Sequence, residues 1–151
     1  MAARDDIARL LKDAAASMKN DVAGAIAKLD SAYTLARQSG DADDTAVVSE
    51  ELARAWARRK SSARSLYYAV HATELAPEQK ATWTTLAKTC ELVASRTHRA
   101  DKQARARALY AAAASGFEKA ATLTKDPEDK RWLRELASDA ARQARPPRAG
   151  A

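Results

Sequence analysis

Before residue 127 the chain has one proline, Pro77, and three glycines, Gly24, Gly40 and Gly116. Hairpin strands depend on turns built from glycine, proline and their usual partners, and so small a supply cannot turn a sheet. Alanine dominates instead, at 39 of 151 residues, and it is the strongest helix former. The chain is therefore expected to be all-α. At this length it fits one compact domain. Aromatics make up only 5% of the residues, so helices must pack closely through small side chains.

Apolar residues recur at helical spacing in successive blocks. Ile7, Leu10, Leu11 and Ala14 mark a first helix, and Val22, Ile26, Leu29, Tyr33 and Leu35 a second, capped by Asn20 or Asp21. The segment 38–44 breaks the pattern, with Gly40 as the C-cap. A third helix is expected over 46–59, with Val48, Leu52, Ala55 and Trp56 inward. A fourth follows over 62–76, capped by Ser61 or Ser62 and stopped by Pro77, since proline disfavours helical geometry in the residue before it. The fifth starts near Glu78 and carries Trp83, Leu86, Cys90 and Val93. The sixth spans 101–123, and Asp126 and Pro127 open a seventh containing Trp132, Leu133, Leu136 and Ala140. Residues 146–151 read as a frayed tail.

The third and fifth helices are related by a fixed offset. Ser49, Leu52, Ala53 and Trp56 fall onto Trp83, Leu86, Ala87 and Cys90 at 34 residues, and the following helices continue the pattern through Ser65, Ala69, Ala72 and Pro77, then Ala113, Phe117, Ala120 and Pro127. In period and in this order of large, small and proline positions the chain resembles the tetratricopeptide repeat (TPR) family. It departs from that pattern in placing alanine at the usual glycine and Ala69 at an aromatic position. The resemblance implies a short α-solenoid of antiparallel helix pairs. Residues 4–38 would form a degenerate first unit, 46–79 a second, 80–127 a third and 128–145 a terminal capping helix, all within one domain over 1–145.

The third unit is longer than the second. Cys90 and Ala113 are 23 residues apart where Trp56 and Ser65 are nine apart. The 14 extra residues contain no glycine or proline, and shared equally they would lengthen each helix by about two turns. The expectation is an extended helical hairpin, inserted at about 92–106, with its tip near 97–101. That arm carries Arg96, Arg99, Lys102, Arg105 and Arg107 against one acid, Asp101, with His98 at the tip. It reads either as a solvated helix end or as a site for phosphates or acidic side chains.

Little in the sequence points to catalysis. His71 and His98 are 27 residues apart, no metal-ligand spacing or phosphate-binding glycine loop occurs, and the lone Cys90 falls on an inward position. No catalytic residue, metal or cofactor is expected. The three tryptophans, Trp56, Trp83 and Trp132, are expected to anchor the interhelical core, and both histidines to lie at the surface. No apolar run approaches the ~18 residues that span a bilayer, the start of the chain has no signal-peptide pattern, and one cysteine suits a reducing compartment; a soluble cytoplasmic protein is expected.

Charge gives the functional lead. Residues 1–50 hold six basic and nine acidic side chains, and residues 51–151 hold twenty and eleven. In the TPR family the first helix of each pair lines a concave groove. Transferred to this chain, the groove positions include Arg54, Arg58, Lys88, Arg131 and Arg134, with Glu50 and Thr84 among them. These cations, together with Arg96, Arg99 and Lys102 of the arm, form the expected partner-binding set. The function expected is that of a non-catalytic adaptor holding an acidic peptide or acidic protein surface. Nucleic-acid binding through the basic arm and self-association into a homo-oligomeric assembly are the alternatives. The arm offers no aromatic residues among its arginines for base stacking.

Overall fold

A computed structural model describes residues 2–97 and 99–148. Its elements are α1 (Ala2–Ser17), α2 (Val22–Ser39), α3 (Ala42–Arg58), α4 (Ser62–Leu75), α5 (Lys80–Ser95), a 3-10 turn (Ala100–Lys102), α6 (Gln103–Leu123) and α7 (Pro127–Ala144). Seven α-helices and no strand occur among the described residues, as expected from the alanine content. Contacts divide the chain into two compact units, 1–77 with α1 to α4 and 78–151 with α5 to α7. Within each unit every helix packs on its neighbour in sequence. The division falls at Pro77, the proline expected to stop the fourth helix.

The caps explain where the helices of unit 1 begin and end. Asp21 accepts a hydrogen bond from the Gly24 backbone N–H at 2.9 Å and so opens α2. Gly40 ends that helix in the left-handed conformation, φ 74°, with its N–H on the Arg37 carbonyl. Asp41 then accepts from the Asp44 N–H at 3.0 Å, and Asp43 and Asp44 add negative charge to the first turn. The expected break over 38–44 is thereby reduced to Gly40 and Asp41, and α3 begins four residues early. After α3, Lys60 takes φ 60°, the Ser61 N–H reaches the Trp56 carbonyl at 2.9 Å, and the Lys60 N–H reaches Ala57. This is a Schellman closure made by lysine where glycine is usual.

Unit 1 is held by a core of aliphatic side chains. Ile7, Ile26, Leu29, Val48 and Leu52 are buried together, with Leu10, Leu11, Tyr33, Trp56 and Tyr68 packed around them. Fully burying one such aliphatic chain stabilises the fold by about 1.5–3 kcal/mol. Ser65 sits fully buried on α4, its hydroxyl donating to the Ala53 carbonyl of α3 at 2.7 Å. Small residues at that crossing let the two backbones come near enough for the bond to form.

In unit 2 small residues carry most of the packing. A Cβ at Gly116 of α6 would stand 3.0 Å from the Ala87 Cβ and 3.2 Å from the Trp83 carbonyl oxygen of α5, so α5 and α6 approach over a position that needs glycine. Next to it, Phe117 is the largest fully buried side chain among the described residues. Around these lie Ala87, Ala113, Ala120 and Ala121, with Leu133 and Ala137 from α7. Buried Thr89 and Thr124 donate their hydroxyls to carbonyls of their own helix, Thr85 and Ala120, at 2.7 Å each, so neither hydroxyl is left unsatisfied in an apolar setting.

The insertion in the third pair is distributed unevenly. After Cys90, α5 runs five residues further, where α3 runs two beyond Trp56; before Ala113, α6 has ten residues, where α4 has three before Ser65. The second helix therefore takes the full two turns, the first gains less than one, and the rest enlarges the connection at 96–102. Thr97 bonds back to the Ala94 and Val93 carbonyls, closing α5, and Gln103 reaches the Thr97 and Arg99 carbonyls to tie the connection to α6. His98 and residues 149–151, parts of the expected tip and tail, lie outside the described residues. Among the described residues no helix is long and apolar enough to cross a membrane.

Candidate protein-interaction site

The expected partner-binding cations separate into four groups. Arg54 and Arg58 are exposed on α3 of unit 1, one turn apart, and Arg54 is paired with Glu51 on its own helix. Arg96, Arg99 and Lys102 are exposed on the connection between α5 and α6, where Arg99 is paired with Asp101 at 3.3 Å. Lys88 is exposed on α5. Arg131 and Arg134 are exposed on α7.

Lys88 lines a cleft of about 210 Å³ between α5 and α7. Lys80 and Thr84 stand above it on α5, and α7 contributes Asp129, Trp132 and Leu136. The spacing 80, 84, 88 places three residues on one helical face, and 129, 132 and 136 do the same opposite. A Lys80–Asp129 ion pair at 3.5 Å bridges the two helices. Among the described residues no carboxylate lies within ion-pair distance of Lys88. Its nearest acidic influence is Glu91 on its own helix, whose carboxyl is pushed up by burial and eased back by the Lys88 charge.

Arg131 and Arg134 do not join this cleft. They line an open hollow with Pro127, Lys130, Glu135 and Ser138. At 100° per residue those positions centre about 160° around α7 from Asp129, Trp132 and Leu136. The TPR-derived groove positions place Lys88, Arg131 and Arg134 together; helical phase separates them into a cleft face and an outer face. Glu50, another groove position, is only 7% exposed, and burial pushes its carboxyl up.

Trp132 is the residue that the sequence reading missed. Expected in the core with the other tryptophans, it is 59% exposed. Trp56 does pack on the core of unit 1, with the Arg64 guanidinium 4.4 Å from the ring centroid. In α7 the buried stripe is Leu133, Ala137 and Ala140, and Trp132 lies one position off it, at the rim of the cleft. Phase within the 133–137–140 stripe was the available signal. His71, expected at the surface, lines an open cleft there and is half-buried against Tyr33 and Tyr67.

Cys90 is free and buried, and burial with the neighbouring Glu91 charge pushes its thiol up to about 11, which makes it a poor nucleophile. Among the described residues no group of three histidine, cysteine, aspartate or glutamate side chains is placed to hold a metal ion. No protein-family model and no curated protein matches the chain.

Proposed function

We propose that the chain is a non-catalytic interaction module, built of TPR-like helix pairs, that holds an acidic peptide segment of a partner protein in the cleft between α5 and α7. The observation that carries this reading is Trp132, a large apolar ring left 59% exposed beside the unpaired ammonium of Lys88. Tryptophan is among the residues enriched at interaction hot spots, because the ring supplies a large contact area. A cleft of this volume takes one large side chain, with Leu133 and Leu136 as its apolar wall. Lys88, and Lys80 once its surface pair with Asp129 opens, then meet carboxylates on either side of that anchor. Unit 2 supports the electrostatic half of the reading: residues 78–151 hold fifteen basic and nine acidic side chains, so the whole net charge of +6 belongs to it.

The test is a titration of the full chain with synthetic peptides rich in Asp and Glu, with and without a central leucine, followed by tryptophan emission. The anchored acidic peptide is expected to shift the emission to the blue and to bind less tightly as salt rises. Trp132→Ala is expected to weaken binding by about thirtyfold, the loss of a hot-spot ring, and Lys88→Glu by about tenfold. Equal binding of a basic peptide, or unchanged affinity in Trp132→Ala, refutes the reading.

A further inference from the structure

Unit 1 carries a second cleft that acidic-peptide binding does not use. Tyr33 of α2 and Tyr68 of α4 meet edge to face, with centroids 5.9 Å apart, and their rings pack against the core of unit 1. Tyr67 does not. It is 61% exposed and stacks on the His71 ring at 5.9 Å, with 17° between the planes. The Tyr33 hydroxyl and His71 Nε2 are 2.9 Å apart, so one partner donates to the other. Arg37, one turn along α2, holds its guanidinium 5.8 Å from the Tyr33 ring centroid. Tyr33, Arg37, Tyr67, His71 and Leu75 open onto a single cleft of about 370 Å³.

Three features of this cleft define what fits it. Its volume falls in the range of small-ligand sites, roughly 300–1,000 Å³. Its wall includes the Tyr67 and His71 rings, to which a planar aromatic group adds by offset stacking. Its unpaired charge is that of Arg37, for among the described residues no carboxylate lies within ion-pair distance of that guanidinium, while the exposed Glu74 carboxylate stands 3.9 Å from His71 Nδ1, the ring nitrogen that does not face Tyr33. The one acid on the wall, Asp41, is engaged by the Arg4 guanidinium at 3.0 Å and by the Asp44 backbone N–H. Arg37 over the Tyr33 ring also disfavours a cationic ligand, since it occupies the face on which a cation would sit.

We propose that this cleft binds a small aromatic anion, its ring against Tyr67 and His71 and its carboxylate or phosphate on the Arg37 fork. A guanidinium offers two parallel N–H donors to either group, and the Tyr33–His71 pair supplies a further polar contact. The left-handed Gly40 at the edge of the cleft has nothing within 4 Å of where its Cβ would be, so the backbone leaves the entrance open.

Amide and imidazole NMR shifts of the full chain test this, with phenyl phosphate and 4-hydroxybenzoate as probes and phenol and inorganic phosphate as controls. Both probes are expected to shift the Gly40 and Thr45 amides and the His71 ring. Arg37→Ala is expected to weaken both by about tenfold while leaving phenol unchanged, and Tyr67→Ala to weaken both by a similar factor. Both side chains are exposed, so the variants keep the fold, which circular dichroism verifies. Absence of shifts with both probes overturns the proposal. So does inorganic phosphate matching phenyl phosphate, which removes the ring's role, or an unchanged affinity in Arg37→Ala, which removes the anion's.

Discussion

The two units solve one packing problem with different materials. Unit 1 fills its core with Ile7, Ile26, Leu29, Val48 and Leu52, whereas unit 2 brings α5 and α6 together over Gly116 and Ala87 and concentrates its large buried side chains in Phe117 and Leu133. Their surfaces differ as well. Residues 1–77 hold eleven basic and eleven acidic side chains, and unit 2 holds all of the excess charge. Backbone proximity replaces side-chain volume in unit 2, so its stability rests on fewer residues, each less replaceable. Short helices can stack by either means provided that each interface is internally consistent.

The largest expected effect tests whether the units are energetically distinct. Phe117→Ala is expected to destabilise unit 2 by about 3–5 kcal/mol, and Leu52→Ala unit 1 by about 2–5 kcal/mol, from lost burial plus the cavity left behind. Native-state hydrogen exchange reads where each loss falls. Phe117→Ala is expected to expose the amides of α5 to α7 and leave those of α2 and α3 protected, with the reverse for Leu52→Ala. Equal loss of protection throughout in both variants breaks the comparison, because the chain then unfolds as one cooperative body. Gly116→Val sharpens it. The added side chain meets Ala87 and the Trp83 carbonyl, and overpacking there is expected to cost about 1–3 kcal/mol in spite of the gain in helix propensity.

How legible these differences were in the sequence depends on the kind of signal. Helix content, the caps at Asp21, Gly40 and Asp126, and the stops at Pro77 and Leu123 were all readable, because each is set by a few adjacent residues. The sites were harder. Arg131 and Arg134 were assigned to the same groove as Lys88 by transferring repeat positions, yet they lie on the far side of α7, since the buried stripe of that helix is set by Leu133, Ala137 and Ala140. Transfer of repeat positions fixes the register of α7 by analogy and not by its own stripe, and a shift of one residue turns a side chain through 100°. The Tyr33–His71 contact joins residues 38 apart; no local pattern announces it. The division at Pro77 was visible as a helix stop, but not as a boundary between sets of contacts.

At the ends of the pH scale the two units are expected to respond through different groups. Burial raises the Cys90 thiol in unit 2 from its ordinary 9 to about 11. The folded state then keeps the proton longer than the unfolded chain, and the stability this gives is present below about pH 9 and lost as pH rises through 11. Cys90→Ala is expected to flatten that alkaline loss, as measured by urea unfolding between pH 8 and 11. Tyr68 of unit 1, also raised by burial, leaves a residual slope at higher pH. Asp41 shifts the other way: the Asp44 N–H and the Arg4 charge lower its carboxyl. Its contribution is present above the ordinary aspartate range and lost as pH falls through the folded value. Asp41→Asn, which keeps a capping oxygen without the charge, is expected to lessen the acid response of α3. An unaltered acid slope shows that the cap, and not the charge, is what matters there.

The smallest effect concerns the turns. Unit 1 ends α2 with Gly40 and α3 with Lys60, both in the left-handed region, and among the described residues of unit 2 no residue has positive φ. An L-residue in that conformation bears a strain of about 1–2 kcal/mol that glycine avoids. Glycine also gives the unfolded chain more freedom, which offsets part of the relief. Lys60→Gly is therefore expected to stabilise unit 1 by a net of about 0.5–1 kcal/mol, seen as a higher urea midpoint with an unchanged slope. Gly40→Ala is expected to cost a similar amount, because its position is open and only the backbone conformation opposes the methyl group. If Lys60→Gly lowers the midpoint instead, the Schellman closure, with its Ser61 to Trp56 and Lys60 to Ala57 bonds, holds lysine without strain; the two left-handed turns of unit 1 are then not equivalent, and conformational cost is not what distinguishes its connections from those of unit 2.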